Sequence, residues 1–291
     1  MDSTRGFLLR MLLVGVLGPL GAFPAGHATA AGLDVLHADS LAGPMSELKK
    51  AFERKSDAVP ISLRSGTSKQ LAERILKGEA CDVFASSSPA VIEEDLINKR
   101  IAGFDKAAAS WYVVFSANEM VVITGKGNPL GIRHVTDLAK PGVTFVRVTG
   151  EKDLATKRTV AFLQKAAALE GQPALAQKII DGAAVDPAKP NSVPDTVRAV
   201  REGKANAGVV YFSAAVAARN DVDIIRFPAS VNLSDEIRNA ATVPGAARNE
   251  KAALEFVKFL LSAEGQTILK DTGQPPVVPA IRKGDVPTGL D

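Results

Sequence analysis

Along most of the chain, short apolar runs alternate with segments whose apolar residues recur every three or four positions. Leu33-Asp34-Val35-Leu36-His37-Ala38 reads as a strand. The next segment carries Leu41, Met45, Leu48 and Phe52 on one helical face. Pro44 lies in its first turn, where the missing proline N–H costs nothing. Ile61-Ser62-Leu63-Arg64 is a second strand, and Leu71, Ile75 and Leu76 mark a helix that Gly78 stops. Residues 83–85 form a third strand, followed by a helix opening at Pro89. This βαβαβα order implies a parallel sheet with helices on both faces.

Two strong β segments come next, Trp111-Tyr112-Val113-Val114-Phe115 and Met120-Val121-Val122-Ile123. A second alternating unit has strands at 144–148 and 207–211 and helices at 155–169, around 174–180 and at 194–202. The chain returns through Ile224-Ile225-Arg226-Phe227 to closing helices at 250–261 and 263–270, then to a tail with Pro275, Pro276 and Pro279. Two α/β units, the second enclosed by the first, predict a bilobed body. The expected division is 31–116 plus 222–291 for one lobe and 117–221 for the other. Ligands of such folds bind outside the carboxyl ends of the strands, where helix N-termini point.

The first thirty residues follow a different pattern. Arg5 and Arg10 flank Phe7-Leu8-Leu9, the apolar run continues from Met11 to Leu17, and Pro19, Gly21 and Pro24 break it. Ala28-Thr29-Ala30 supplies the A-x-A pattern of a signal peptidase site, so residues 1–30 read as a cleavable export signal and the expected compartment is the periplasm. The 291 residues are 46% hydrophobic and 23% charged, ordinary for globular domains, and length alone suggests two of them. A net charge of +3 with no basic run gives no reason to expect a nucleic-acid partner. The single cysteine, Cys81, cannot form an internal disulfide and reads as a core thiol beside a buried strand.

Enzyme chemistry finds little to work with. Beyond the leader only His37 and His134 remain, too few with one Cys for a usual zinc site. G-x-S-x-G, P-loop, H-E-x-x-H and EF-hand patterns are all missing, and Gly125-Lys126-Gly127-Asn128-Pro129 lacks phosphate-loop spacing. No catalytic residue, cofactor or free metal cation is expected. What remains is hydroxyls at helix starts. Ser40 ends the first strand, and Thr67-Ser68-Lys69-Gln70 opens the second helix, with Thr67 and Gln70 spaced as a capping box. Ser68 then has a free amide and a free hydroxyl in the first turn. Two such helix N-termini at one sheet edge suit a small anion, although a serine at a helix start, taken alone, is usually just a cap.

Longer stretches carry a resemblance. Leu36-His37-Ala38-Asp39-Ser40-Leu41-Ala42-Gly43-Pro44 resembles the (F/H)-A-G-S-L-x-x-P opening of periplasmic molybdate/tungstate-binding proteins. Ser65-Gly66-Thr67-Ser68 with Leu71-Ala72-Glu73-Arg74-Ile75 is similar to their G-S-x-x-L-A-x-x-I helix start, and Asp82-Val83-Phe84-Ala85-Ser86 to their A-D-V-F-A-S-A-D strand. Trp111-Tyr112 with Phe115, Asn118, Met120 and Val121 resembles the W-Y-x-x-F-x-x-N-x-M-V crossover of the tungstate-type branch. Residues 207–213 are similar to A-G-I-V-Y-x-S, and residues 256–266 to the closing F-v-x-F-L-L-S-x-E-G-Q of solute-binding proteins.

The resemblance implies an α/β, bilobed periplasmic-binding-protein type II fold, with two α/β domains joined by two hinge strands near 115–121 and 218–225. It implies a monomer that captures molybdate or tungstate for an inner-membrane ABC importer. The oxyanion would be held by hydroxyls and backbone N–H groups of both lobes, fixed dipoles that need no reorganisation. Carried over by residue, Ser40 and Ser68 would supply hydroxyls and amides, Ala155 and Val193 their amides, and Tyr211 its phenol. Tyr211 could instead simply pack at a strand end. Ser192 and Asp195 fit S-x-x-D, which makes Asp195 a helix cap. Asp39 stands where the family has Gly and would repel a dianion if it faced the cleft, although strand alternation permits it to face away. Asp153 occupies the place of an Asp that reaches the metal centre in the tungstate-type branch, and is equally an N-cap; that branch's companion Glu has no clear match. The alternatives are the same fold binding sulfate, a phosphonate or another small anion, an effector-sensing regulator, or a secreted enzyme.

Overall fold

The computed structural model describes residues 32–55, 59–150 and 153–290, so the expected export signal lies outside the described residues. β1 (Leu33–Ala38) runs through a 3-10 turn at Asp39–Leu41 into α1 (Ala42–Glu53). β2 (Ile61–Gly66), α2 (Ser68–Leu76), β3 (Val83–Ser86) and α3 (Pro89–Asp95) continue the alternation, and Gly78 ends α2 with a φ of 90°. β4 (Trp111–Ala117) and β5 (Met120–Gly125) follow with only Asn118 and Glu119 between them. The middle of the chain forms β6 (Phe145–Arg147), α4 (Leu154–Leu169), α5 (Pro173–Asp181), α6 (Val193–Arg201), β7 (Ala207–Tyr211), α7 (Phe212–Ala217) and β8 (Val222–Ile225). β9 (Arg238–Thr242), α8 (Glu250–Leu261), α9 (Ala263–Asp271) and β10 (Pro276–Gly284) close it.

The strands form a six-stranded sheet, β10-β4-β9-β3-β1-β2, and a four-stranded sheet, β6-β7-β5-β8. Alternation along each strand of the larger sheet feeds two cores. Val35, Val113 and Phe115 pack with Met45, Leu48, Phe52 and Phe256 on one face, while Leu36, Phe84, Tyr112 and Val114 pack with Leu71, Ile75 and Ile92 on the other. Phe52 meets Phe256 edge to face at 5.3 Å. The smaller sheet has its own core, built around Met120, Val122, Val209, Phe162 and Leu163.

Only part of the larger sheet is parallel. β2, β1 and β3 pair as expected, but β9 runs antiparallel between β3 and β4, and β10 runs antiparallel to β4. The proline-bearing tail is therefore an edge strand, a position that tolerates prolines. β8 also departs from expectation: it pairs with β5, Val122 against Ile225 and Ile123 against Ile224. That pairing puts residues 222–225 in the smaller sheet, so the second passage between sheets runs over residues 226–237 and not 218–225.

Candidate functional site

The carboxyl ends of β1, β2, β3 and β7 open on one cavity of about 390 Å³. Ser40, Ser68 and Ser87 border it from segments of the larger sheet, and Asp153, Ala155, Val193 and Tyr211 from segments of the smaller one. All six sequence-predicted positions, Ser40, Ser68, Asp153, Ala155, Val193 and Tyr211, are thus brought together.

Ser40 sits in the turn leaving β1. Its carbonyl accepts from Ser213 Oγ at 2.9 Å and Gln274 Nε2 at 3.2 Å, which fixes the backbone and leaves the hydroxyl without a hydrogen bond among the described residues. Ser68 is the first residue of α2, after Thr67 as N-cap. The Thr67–Gln70 capping box expected from spacing does not form, since Thr67 makes no side-chain cap bond. The Ser68 hydroxyl is not free either. It accepts from the Ser87 amide at 3.0 Å and lies 3.1 Å from Ser87 Oγ. Ser87 was not identifiable from the sequence, although the run Ser86-Ser87-Ser88 at the end of β3 is its one local sign.

The α4 N-terminus carries its own anion. Asp153 is the N-cap, and its Oδ1 accepts from the Ala155 amide at 3.0 Å. The amide expected to meet a ligand is therefore already capped. Burial raises the Asp153 carboxyl above its ordinary range and the charge of Asp39 adds to this, against the Ala155 hydrogen bond and Arg158. Asp39 borders the cavity because it lies in a 3-10 turn, where strand alternation does not apply. At α6, Ser192 and Asp195 form the expected reciprocal capping box and leave the Val193 amide in the first turn. Buried His37 has its pKa lowered by desolvation, so the neutral ring adds no charge beside Ser40.

Tyr211 ends β7 and is only 2% exposed. Its hydroxyl accepts from Arg158 Nη1 at 3.1 Å, while Arg158 Nη2 donates to the Ser87 carbonyl at 2.9 Å. Burial pushes the phenol pKa up, against the nearby Arg158 charge, so the phenol keeps its proton. Arg158 was also missed from sequence, because nothing marks it out among the polar residues of α4. The cavity wall otherwise holds Lys69, Glu73 and neutral groups. The charged lining is thus Asp39, Asp153 and Glu73 against Lys69, so the hydroxyl and amide donors stand in a wall with more carboxylates than cations. Among the described residues no group of three or more His, Cys, Asp and Glu side chains could hold a metal ion, and no helix is long and apolar enough to cross a membrane.

Comparison with known proteins adds to this. The profile of a family described as bacterial extracellular solute-binding protein matches residues 33–274. The molybdate-binding protein ModA of Mycobacterium tuberculosis is 26% identical over 279 residues, covering 93% of this chain and 96% of that one. The periplasmic molybdate-binding protein of Azotobacter vinelandii superimposes with a TM-score of 0.63 at 18% identity, over 85% of this chain and 99% of that one. The sulfate-binding protein SubI of Mycobacterium tuberculosis gives 0.65 at 15% identity, over 85% and 88%. The fold is the periplasmic-binding-protein type II α/β fold, with its two sheets.

Proposed function

Because the chain belongs to the bacterial extracellular solute-binding proteins, which serve ABC importers, we propose that its cargo is molybdate or tungstate, captured in the periplasm. The observation that carries this reading is the convergence of neutral donors on one cavity. Ser40, Ser68 and Tyr211, each with a hydroxyl, and Val193, whose amide lies in the first turn of α6, line it from segments of both sheets, while the Ala155 amide of α4 is held by Asp153. Oriented dipoles at helix starts suit a tetrahedral dianion because they hold it without reorganising, and here they do so against the Asp39, Asp153 and Glu73 carboxylates that also line the cavity. The resemblance along residues 36–44, 65–75 and 207–213 supports the same cargo.

The two sides work as a clamp. An anion that takes donors from both sides of the cavity would hold them together, as Arg158 does where it donates to the Ser87 carbonyl. Asn118 with Glu119 and residues 226–237 are the two passages about which they would move. Sulfate is the second reading: the structural likeness to a sulfate-binding protein favours it.

A thermal-shift panel on the exported protein tests cargo, with molybdate, tungstate, sulfate, phosphate, phosphonates, an iron(III) chelate and amino acids. Ligand at about a hundred times its Kd should add roughly 2.7 kcal/mol of stability. Stabilisation only by an amino acid or a metal cation would overturn the oxyanion reading. N-terminal sequencing of the periplasmic fraction should begin near Ala31; an intact Met1 in the membrane fraction would contradict export.

A further inference from the structure

We propose that Arg158 is a positioning residue for oxyanion recognition, one that aims the Tyr211 phenol proton into the cavity and ties that donor to the serine pair on the opposite side. Arg158 lies in the second turn of α4 and is not on the cavity wall. Its guanidinium forks: Nη1 donates to Tyr211 Oη at 3.1 Å and Nη2 to the Ser87 carbonyl at 2.9 Å. The guanidinium carbon also lies 5.9 Å from the Tyr211 ring centroid.

The consequence follows from donor arithmetic. A phenol has one proton and two acceptor positions, and Arg158 has no acceptor to offer it. The one hydrogen bond at the Tyr211 hydroxyl among the described residues is therefore one it accepts, which leaves its proton for the cavity. A charged donor on the phenol oxygen also polarises the O–H and strengthens what it gives. The second arm reaches Ser87, whose amide and hydroxyl meet Ser68 Oγ at 3.0 and 3.1 Å. Tyr211, Arg158, Ser87 and Ser68 thus form one chain from the smaller sheet's donor to the larger sheet's. Lysine would supply only part of this, since its ammonium is a single point charge without the planar fork.

The inference rests on the oxyanion reading, and a double-mutant cycle separates the two. Wild type, Arg158→Gln, Arg158→Lys, Tyr211→Phe and the double variants would be titrated calorimetrically with molybdate, tungstate and sulfate, with thermal unfolding confirming that each folds. Arg158→Gln should lose about tenfold or more in affinity for the preferred anion. In the Tyr211→Phe background the same change should cost clearly less, since only the arm to the Ser87 carbonyl remains for it to act through. Arg158→Lys should recover only part of the loss, and it keeps the cycle readable if Arg158→Gln does not fold. Equal losses in both backgrounds, or full recovery by lysine, overturn the positioning role while leaving the oxyanion reading intact. A wild type that binds none of the three anions overturns both.

Discussion

At Ser68 the hydroxyl is committed inside the protein before any ligand arrives. It accepts from the Ser87 amide, and both serines are buried. With Ser87 Oγ as donor in the second contact, both acceptor positions of Ser68 are filled and its own proton is left for the cavity. Ser40 is built differently, since its carbonyl carries the internal bonds and its hydroxyl carries none among the described residues. The two serines should therefore separate binding from stability. Ser40→Ala should weaken molybdate binding about ten- to a hundredfold, the worth of a hydrogen bond to a charged group, and leave stability within roughly 0.5 kcal/mol. Ser68→Ala should weaken binding as well, and also destabilise by about 1–3 kcal/mol, because the buried Ser87 amide loses its acceptor. Calorimetric titration and urea unfolding of both variants check this. Unchanged affinity in Ser40→Ala would reduce that serine to a turn former.

A helix start binds an anion only while its first-turn amides are free, and the two helix starts at this cavity differ in that respect. At α6 the cap is Ser192, a neutral residue; at α4 it is the Asp153 carboxylate, already bonded to the Ala155 amide. An arriving oxyanion therefore competes with Asp153 for that amide and is repelled by its charge. Asn caps as well as Asp, so Asp153→Asn should raise sulfate affinity with little change in fold. Molybdate and tungstate, dianions like sulfate, should gain by a similar factor; a large tungstate loss with a sulfate gain would instead make Asp153 a ligand to the metal centre. The raised Asp153 pKa gives a second readout. A carboxyl whose folded pKa lies above its unfolded one contributes stability at low pH that is lost as pH rises through the raised value. Sulfate affinity should rise as pH falls into that window, and titrations of Asp153→Asn should lose this slope. Helix starts of this kind were readable from sequence because strands and helices with strong local periodicity, such as β1, α1 and α6, announce them. β9 was not: Arg238–Thr242 has no apolar run, and its place comes from partners, Ala241 against Ala85 and Val113. Arg158 was missed for the same reason, because its two bonds reach residues 53 and 71 positions away.

Across the whole molecule, affinity depends on closing as well as on contacts, and one side chain holds both passages between the sheets. Glu119 lies in the first passage and is 4% exposed. It accepts from Arg226 Nε at 2.5 Å and Asn232 Nδ2 at 2.8 Å, both in the second. Arg226 is largely exposed and can turn to water, so Glu119→Gln should cost roughly the 1.5–3 kcal/mol of a charged hydrogen bond and not the larger penalty of a stranded buried ion. Its effect on binding should have a distinct form. Glu119 does not border the cavity, so the substitution alters only the fraction of molecules that can close. Apparent affinity scales with that fraction whatever the ligand. Molybdate, tungstate and sulfate affinities should therefore shift by one common factor in Glu119→Gln, with their ratios unchanged. Asp153→Asn should raise all three affinities together, and the ratios should change only if Asp153 ligates the metal centre. Titrating the three anions against both variants checks this: a change in discrimination in Glu119→Gln would mean that the passages set the shape of the cavity and do more than connect its sides.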